Sequence, residues 1–155
     1  MQYGPDPNAV YPNEKIKSVC FIKNVITRPN IIIGEYTYYS DTNGAERFED
    51  HVTHHYGFLG DKLIIGRFCA IAQGIEFIMN GANHRMCSIT TYPFNIMGHG
   101  WEKATPTPET LPFKGDTVVG NDVWIGQNVS FKDLKVMYLD FIQACFETSA
   151  LKLRF

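Results

Sequence analysis

Ile65-Gly66-Arg67-Phe68-Cys69-Ala70, then Ile71-Ala72-Gln73-Gly74-Ile75-Glu76, then Phe77 set a large apolar residue at every sixth position. The beat returns in Val119-Gly120-Asn121-Asp122-Val123-Trp124 and Ile125-Gly126-Gln127-Asn128-Val129-Ser130, and an earlier copy stands alone at Ile33-Gly34-Glu35-Tyr36-Thr37-Tyr38. A fixed short period of this kind predicts a stacked β-helix. Each hexamer supplies one short strand and a turn, and each coil buries its apolar residue against the next. Gly at the second place suits a turn that needs either positive φ or a close backbone approach.

Around this core, 155 residues that are 45% hydrophobic and only 19% charged can bury a real interior and read as one globular domain. A formal net charge of −2 with scattered Lys and Arg gives no basic stripe, which argues against a nucleic-acid partner. No run of 18 apolar residues exists, and the start, Met1-Gln2-Tyr3-Gly4-Pro5-Asp6-Pro7, has neither a basic region nor an apolar core for export. A soluble cytoplasmic protein with no membrane partner is expected. Cys20, Cys69, Cys87 and Cys145 are widely spread with no Cys-x-x-Cys pair, so neither a zinc ribbon nor a disulfide scaffold is indicated. Cys69 reads as a small core residue, and Cys87, although close to His84, reads more simply as packing than as a reactive thiol.

Ser18–Ile22 and Asn30–Ile33 are short, β-branched and separated by Arg28-Pro29, which predicts strands. Asp41-Thr42-Asn43-Gly44 is a turn signal opening a segment, 45–60, that interrupts the repeat and carries His51, His54 and His55. Zinc wants three or four convergent ligands, and no Cys or acidic residues are spaced to complete such a set, so no metal is expected. Residues 79–117 separate the two repeat runs, which is long for a connection inside a domain and marks a functional excursion. Past Ser130 the beat fails. Phe131 holds the next apolar place, but Lys132 stands where Gly belongs, and Leu134, Met137, Tyr138, Phe141, Ala144, Cys145 and Thr148 fall at helical spacing. That spacing predicts an amphipathic helix over 132–148. The chain divides into a β-helix domain over 1–130 and a tail over 131–155.

The excursion opens on Ile78-Met79-Asn80-Gly81-Ala82-Asn83-His84-Arg85-Met86. It continues through Thr91-Tyr92-Pro93-Phe94, Gly100-Trp101-Glu102-Lys103 and Lys114-Gly115-Asp116-Thr117 into Gly120-Asn121-Asp122-Val123-Trp124-Ile125-Gly126. Together with Gly4-Pro5-Asp6-Pro7, Lys17-Ser18-Val19 and Gly34-Glu35-Tyr36-Thr37-Tyr38-Tyr39, this series resembles the xenobiotic acetyltransferases, first the streptogramin A acetyltransferases and then the type B chloramphenicol acetyltransferases. The resemblance implies a left-handed parallel β-helix of hexapeptide repeats, assembled as a homotrimer with active sites between adjacent subunits. It also implies acetyl-coenzyme A as co-substrate and a small hydroxylated, hydrophobic antibiotic as acceptor.

By the same resemblance, His84 takes the place of the catalytic histidine. The chemistry suits it, because an alcohol attacking a thioester must lose its proton as the C–O bond forms. An imidazole, with an ordinary pKa of about 6.5, is largely neutral yet still basic near pH 7. Transfer within a ternary complex needs no Ser or Cys nucleophile, since holding both substrates side by side supplies much of the rate. Read alone, His84 would be a hydrogen-bonded loop histidine; the motif around it favours the catalytic reading. Asn83 and Arg85 flank it and shape the loop, with Asn83 also a candidate contact to the acceptor. Tyr38 and Tyr56 match positions that face the antibiotic, although tyrosines on strands also serve as packing. Trp124 matches a residue near the acetyl end of the cofactor, and a Trp on a coil is equally a core filler.

The family pattern continues for several coils after the equivalent of Val129, and those coils hold much of the coenzyme A groove. Residues 131–155 match nothing in it, which suggests a truncated or recombined coding sequence. Two readings therefore stay open. One is an O-acetyltransferase with His84 as general base. The other is an inactive β-helix trimer, or a ligand-binding remnant that keeps the acceptor pocket beside an incomplete coenzyme A groove.

Overall fold

The computed structural model describes residues 3–132. Ten short strands lie along this stretch: β1 (Val19–Phe21), β2 (Ile31–Ile33), β3 (Tyr38–Ser40), β4 (Val52–Thr53), β5 (Leu63–Ile65), β6 (Ala70–Ile71), β7 (Glu76–Ile78), β8 (Thr117–Val119), β9 (Trp124–Ile125) and β10 (Ser130–Lys132). They form three sheets. The first is β2-β5-β8, the second β1-β3-β6-β9 and the third β4-β7-β10. Every pairing is parallel except β1 with β3, which is antiparallel and places Cys20 opposite Tyr39 at the start of the stack.

Each coil visits the three sheets in turn, and registers are kept from coil to coil. Ile31 lies beside Leu63 and Leu63 beside Thr117; Ile33, Ile65 and Val119 form the next column. In the second sheet Tyr39 lies beside Ile71 and Ile71 beside Ile125. In the third, Val52 lies beside Phe77 and Phe77 beside Phe131. The apolar residues of the sequence repeat fill these columns, and together they make one core drawn from all three sheets. Side chains of a strand alternate between faces, so the neighbours of each buried residue point outward, and the three sheets enclose the core like the faces of a prism.

Thr37 occupies an inward place in a column of apolar residues and is fully buried. Its hydroxyl is satisfied on both sides, donating to the Gly66 carbonyl at 2.6 Å and accepting the Cys69 amide N–H at 3.0 Å. The insertion between β3 and β4 closes one side of the stack. Ala45 and Phe48 are buried there, and the Phe48 ring meets Tyr39 and Phe77 edge to face.

The repeat runs further than the sequence reading allowed. Ser130, Phe131 and Lys132 pair in parallel register with Glu76, Phe77 and Ile78, and the Phe131 ring stacks on Phe77 at 5.4 Å. Lys132, expected to open a helix, is thus a strand residue, because backbone pairing does not require the Gly that the repeat pattern would place there. The remainder of the expected 132–148 helix lies outside the described residues.

Candidate active site

The excursion leaves the coil after β7 and returns at β8. Its entry is pinned by backbone hydrogen bonds. The Met79 amide donates to the Thr53 carbonyl at 3.0 Å, and the Gly81 amide donates to the His54 carbonyl at 3.1 Å. Gly81 must be Gly, since a Cβ there would lie 2.5 Å from the His54 carbonyl oxygen and from the Tyr56 ring. Tyr56, half exposed and stacked on Phe58 at 5.5 Å, therefore packs directly against the entry of the arm. After one tight turn, Asn80–Ala82, the arm presents Asn83, half-buried, and His84, exposed to solvent. Further along, Tyr92, Phe94 and Trp101 gather into an exposed aromatic group, with ring centroids 4.7 and 5.1 Å apart.

Beneath this entry lies a buried polar hub that the sequence reading did not identify. Asp61 is fully buried, and its Oδ2 accepts the Asn80 backbone N–H at 3.0 Å and the Asn80 side-chain Nδ2–H at 2.9 Å. Asn80 Nδ2 also donates to the Gly115 carbonyl at 2.8 Å, while its Oδ1 accepts the Lys114 N–H at 2.8 Å and the Asn83 Nδ2–H at 3.2 Å. The amide of Asn80 thus uses its two donors and two acceptor sites at once. On the far side of Asp61, its backbone carbonyl lies 2.9 Å from His55 Nε2, which is 2.7 Å from Asn30 Nδ2. His55 Nδ1 and Asp61 Oδ1 are buried and have no hydrogen-bond partner. No signal in the sequence marks this hub, because Asp61 and Asn80 meet only when one coil is stacked on the next.

The remaining candidates lie elsewhere. Tyr38 on β3, Ala70 on β6 and Trp124 on β9 share one row of the second sheet. Tyr39, Ile71 and Ile125 beside them are buried, so Tyr38 and Trp124 lie on the outer face, two strand spacings or roughly 10 Å apart. Tyr56 and Gly81, at the entry of the arm that carries Asn83 and His84, meet at the corner between the third and first sheets. In a three-sided stack that corner is opposite the second sheet. One chain therefore sets Tyr56 against the entry of the arm that carries Asn83 and His84 and holds Tyr38 with Trp124 on another side.

The three histidines of the interrupting segment go separate ways. His51 Nε2 lies 3.1 Å from the Tyr39 hydroxyl, His54 is exposed with a left-handed φ of 53°, and His55 belongs to the hub. Among the described residues, no group of three or more His, Cys, Asp or Glu is placed to hold a metal ion. The Tyr39 phenol is pushed up to about 12 by burial and by its hydrogen bond to Asp41. Burial also pushes the Cys20 thiol up to about 11, with the nearby Glu46 carboxylate adding to it, which makes that sulfur a packing atom. Cys87 is exposed, its sulfur 3.8 Å from the Arg85 guanidinium.

No protein-family model matches the chain. Individual proteins do. The chain is 54% identical over 113 residues to virginiamycin A acetyltransferase of Staphylococcus aureus, covering 73% of this chain and 51% of that protein. It is 75% identical over 88 residues to a probable macrolide acetyltransferase of Lysinibacillus sphaericus, covering 57% and 49%. A chloramphenicol acetyltransferase of Agrobacterium fabrum is 43% identical over 103 residues, covering 65% and 49%.

Over its matched residues, the chain is similar to acetyltransferases named for macrolides, virginiamycin A and chloramphenicol.

The chain spans about half the length of these xenobiotic acetyltransferases. A likeness of another kind covers 33 residues, 64% identical to the phenylalanine–tRNA ligase alpha subunit of Methylibium petroleiphilum, or 21% of this chain and 10% of that protein. The site described above offers an exposed imidazole on an arm with pinned ends, an aromatic ring against the entry of that arm, and two further rings on another side of the stack. No helix among the described residues is long and apolar enough to cross a membrane.

Proposed function

We propose that this chain is an acetyl-coenzyme A dependent O-acetyltransferase for a hydroxyl of a hydrophobic, streptogramin A-like antibiotic, with His84 as general base. The observation that carries this reading is the 54% identity to virginiamycin A acetyltransferase over 113 residues, and Asn80–Met86 is the stretch of this chain on which the resemblance drawn above chiefly rests. The fold that goes with it is a left-handed β-helix of hexapeptide repeats, working in the cytoplasm as a homotrimer.

In this reading His84 accepts the hydroxyl proton as the acceptor oxygen attacks the thioester carbonyl. The imidazolium so formed returns that proton to the departing thiolate when the C–S bond breaks, and the base is regenerated. Backbone N–H groups or water would stabilise the intermediate oxyanion. Asn83, next to His84 in the chain, and Tyr56, packed against the entry of the same arm, would contact the acceptor. Tyr38 and Trp124 complete the site if it is built between adjacent subunits, with His84 of one chain facing the second sheet of its neighbour. That arrangement accounts for their separation within one chain. Trp124 would then line the acetyl end of coenzyme A.

The second reading is a catalytically inactive trimer or ligand-binding remnant. The chain spans about half the length of these relatives; in this reading the described coils would keep an acceptor pocket and lack part of the coenzyme A groove.

Thiol release from acetyl-coenzyme A in the presence of a streptogramin A separates the readings. The enzyme reading expects acceptor-dependent release that falls by at least about 100-fold in His84→Ala, the lower end of what a general base contributes. No release from well-folded protein would leave the inactive reading standing, and calorimetry with the antibiotic alone would then show whether the acceptor pocket binds.

A further inference from the structure

The excursion is attached to the stack at two feet, Asn80 after β7 and Lys114-Gly115 before β8. One buried side chain joins them. Asn80 bonds the second foot through both its atoms, Oδ1 to the Lys114 N–H and Nδ2 to the Gly115 carbonyl, and it is held to the coil body by Asp61. Its remaining acceptor capacity takes Asn83, the residue immediately before His84.

We propose that Asp61 and Asn80 are positioning residues for His84, forming a clasp that closes the excursion at its base and fixes the point from which the imidazole works. This rests on the catalytic reading of His84. Two physical effects make the clasp hold. First, each foot is held to the coil separately, the Gly81 N–H by the His54 carbonyl and the Asp116 carboxylate by the Lys62 N–H, whereas Asn80 ties the two feet to each other, so its loss would remove that tie and loosen the spacing between them. A displacement of about 1 Å at a base costs on the order of 100-fold in rate. Second, a buried carboxylate that loses its donors is costly, so Asp61 holds Asn80 firmly where a solvated pair would not.

The test uses the full chain and two readouts. Hydrogen–deuterium exchange needs no substrate: Asn80→Ala should speed exchange at the amides of Gly81, Asn83 and Lys114 by about tenfold or more, with Ala70 and Glu76 in the coils unchanged. Asp61→Asn, which preserves shape, guards against simple misfolding and should give a smaller rise at the same amides. In acetyl transfer, both variants should lower kcat by about 10- to 100-fold with little change in KM for acetyl-coenzyme A.

Unchanged exchange at the feet, an equal rise throughout the coils, or an unaltered kcat with loosened feet would each overturn the proposal. A parent chain that transfers no acetyl group would overturn the catalytic reading and the role given to His84, while loosened feet in Asn80→Ala would still establish the clasp itself.

Discussion

Among single residues, Glu49 shows how one carboxylate fixes an insertion to the stack. Burial acts to raise its pKa, but the backbone N–H groups of Arg28 and Thr27, the Thr27 hydroxyl and the Arg28 charge outweigh it and hold the carboxyl below its ordinary range. Arg28 N–H reaches Oε1 at 2.8 Å, and the Arg28 guanidinium in return bonds the Glu49 and Val52 carbonyls. A carboxyl whose folded pKa is lowered contributes stability that is full above its unfolded value, about 4.3, and is lost as pH falls through the folded one. Glu49→Gln should therefore cost about 1–3 kcal/mol at neutral pH, with the difference from wild type narrowing as denaturation is measured at successively lower pH below about 5. None of this was legible in the sequence, where Glu49 is one acidic residue in a loop. His84 and Asn83 stood out there because a motif of several residues surrounds them, whereas Asp61 and Asn80 acquire their meaning only from a contact across coils.

At the scale of the coil, the second-place glycines explain the repeat. Of the two reasons the pattern allowed, close approach is the one that holds at Gly34 and Gly66. A Cβ on Gly34 would lie 2.5 Å from the Gly66 backbone, and one on Gly66 would lie 2.5 Å from the Gly120 carbonyl oxygen. Positive φ falls instead two residues later, on Tyr36, Phe68 and Asp122, with values of 62°, 59° and 57°. Gly66→Ala should lower stability by about 1–3 kcal/mol, because backbone on the next coil has to move. Gly57→Ala, where nothing lies within 4 Å of the added carbon, serves as the control, and thermal denaturation of the two variants should separate them clearly. The coils were readable because a strict period repeats the same burial at each turn. The β10 strand was missed because its Lys132 broke the side-chain pattern while its backbone still paired.

Taken as a whole, the molecule places its candidate residues on two sides. Tyr56 and the entry of the His84 arm occupy one corner of the stack, and Tyr38 with Trp124 the sheet opposite. No property of a linear sequence reports which side of a prism a residue faces, so the list of candidates was legible and their separation was not. The separation supports a centre made by two neighbouring chains of a cyclic trimer, in which the same two unlike surfaces meet at every interface. Complementation tests this central claim most directly. His84→Ala and the double variant Tyr38→Ala/Trp124→Ala would each be purified, shown to be inactive, then unfolded and refolded together before thiol release is measured. Random mixing in a closed trimer pairs an intact His84 corner with an intact second sheet at about a quarter of the interfaces, so activity should return to about a quarter of wild type. Mixed trimers that form and remain inactive would contradict a site shared between chains.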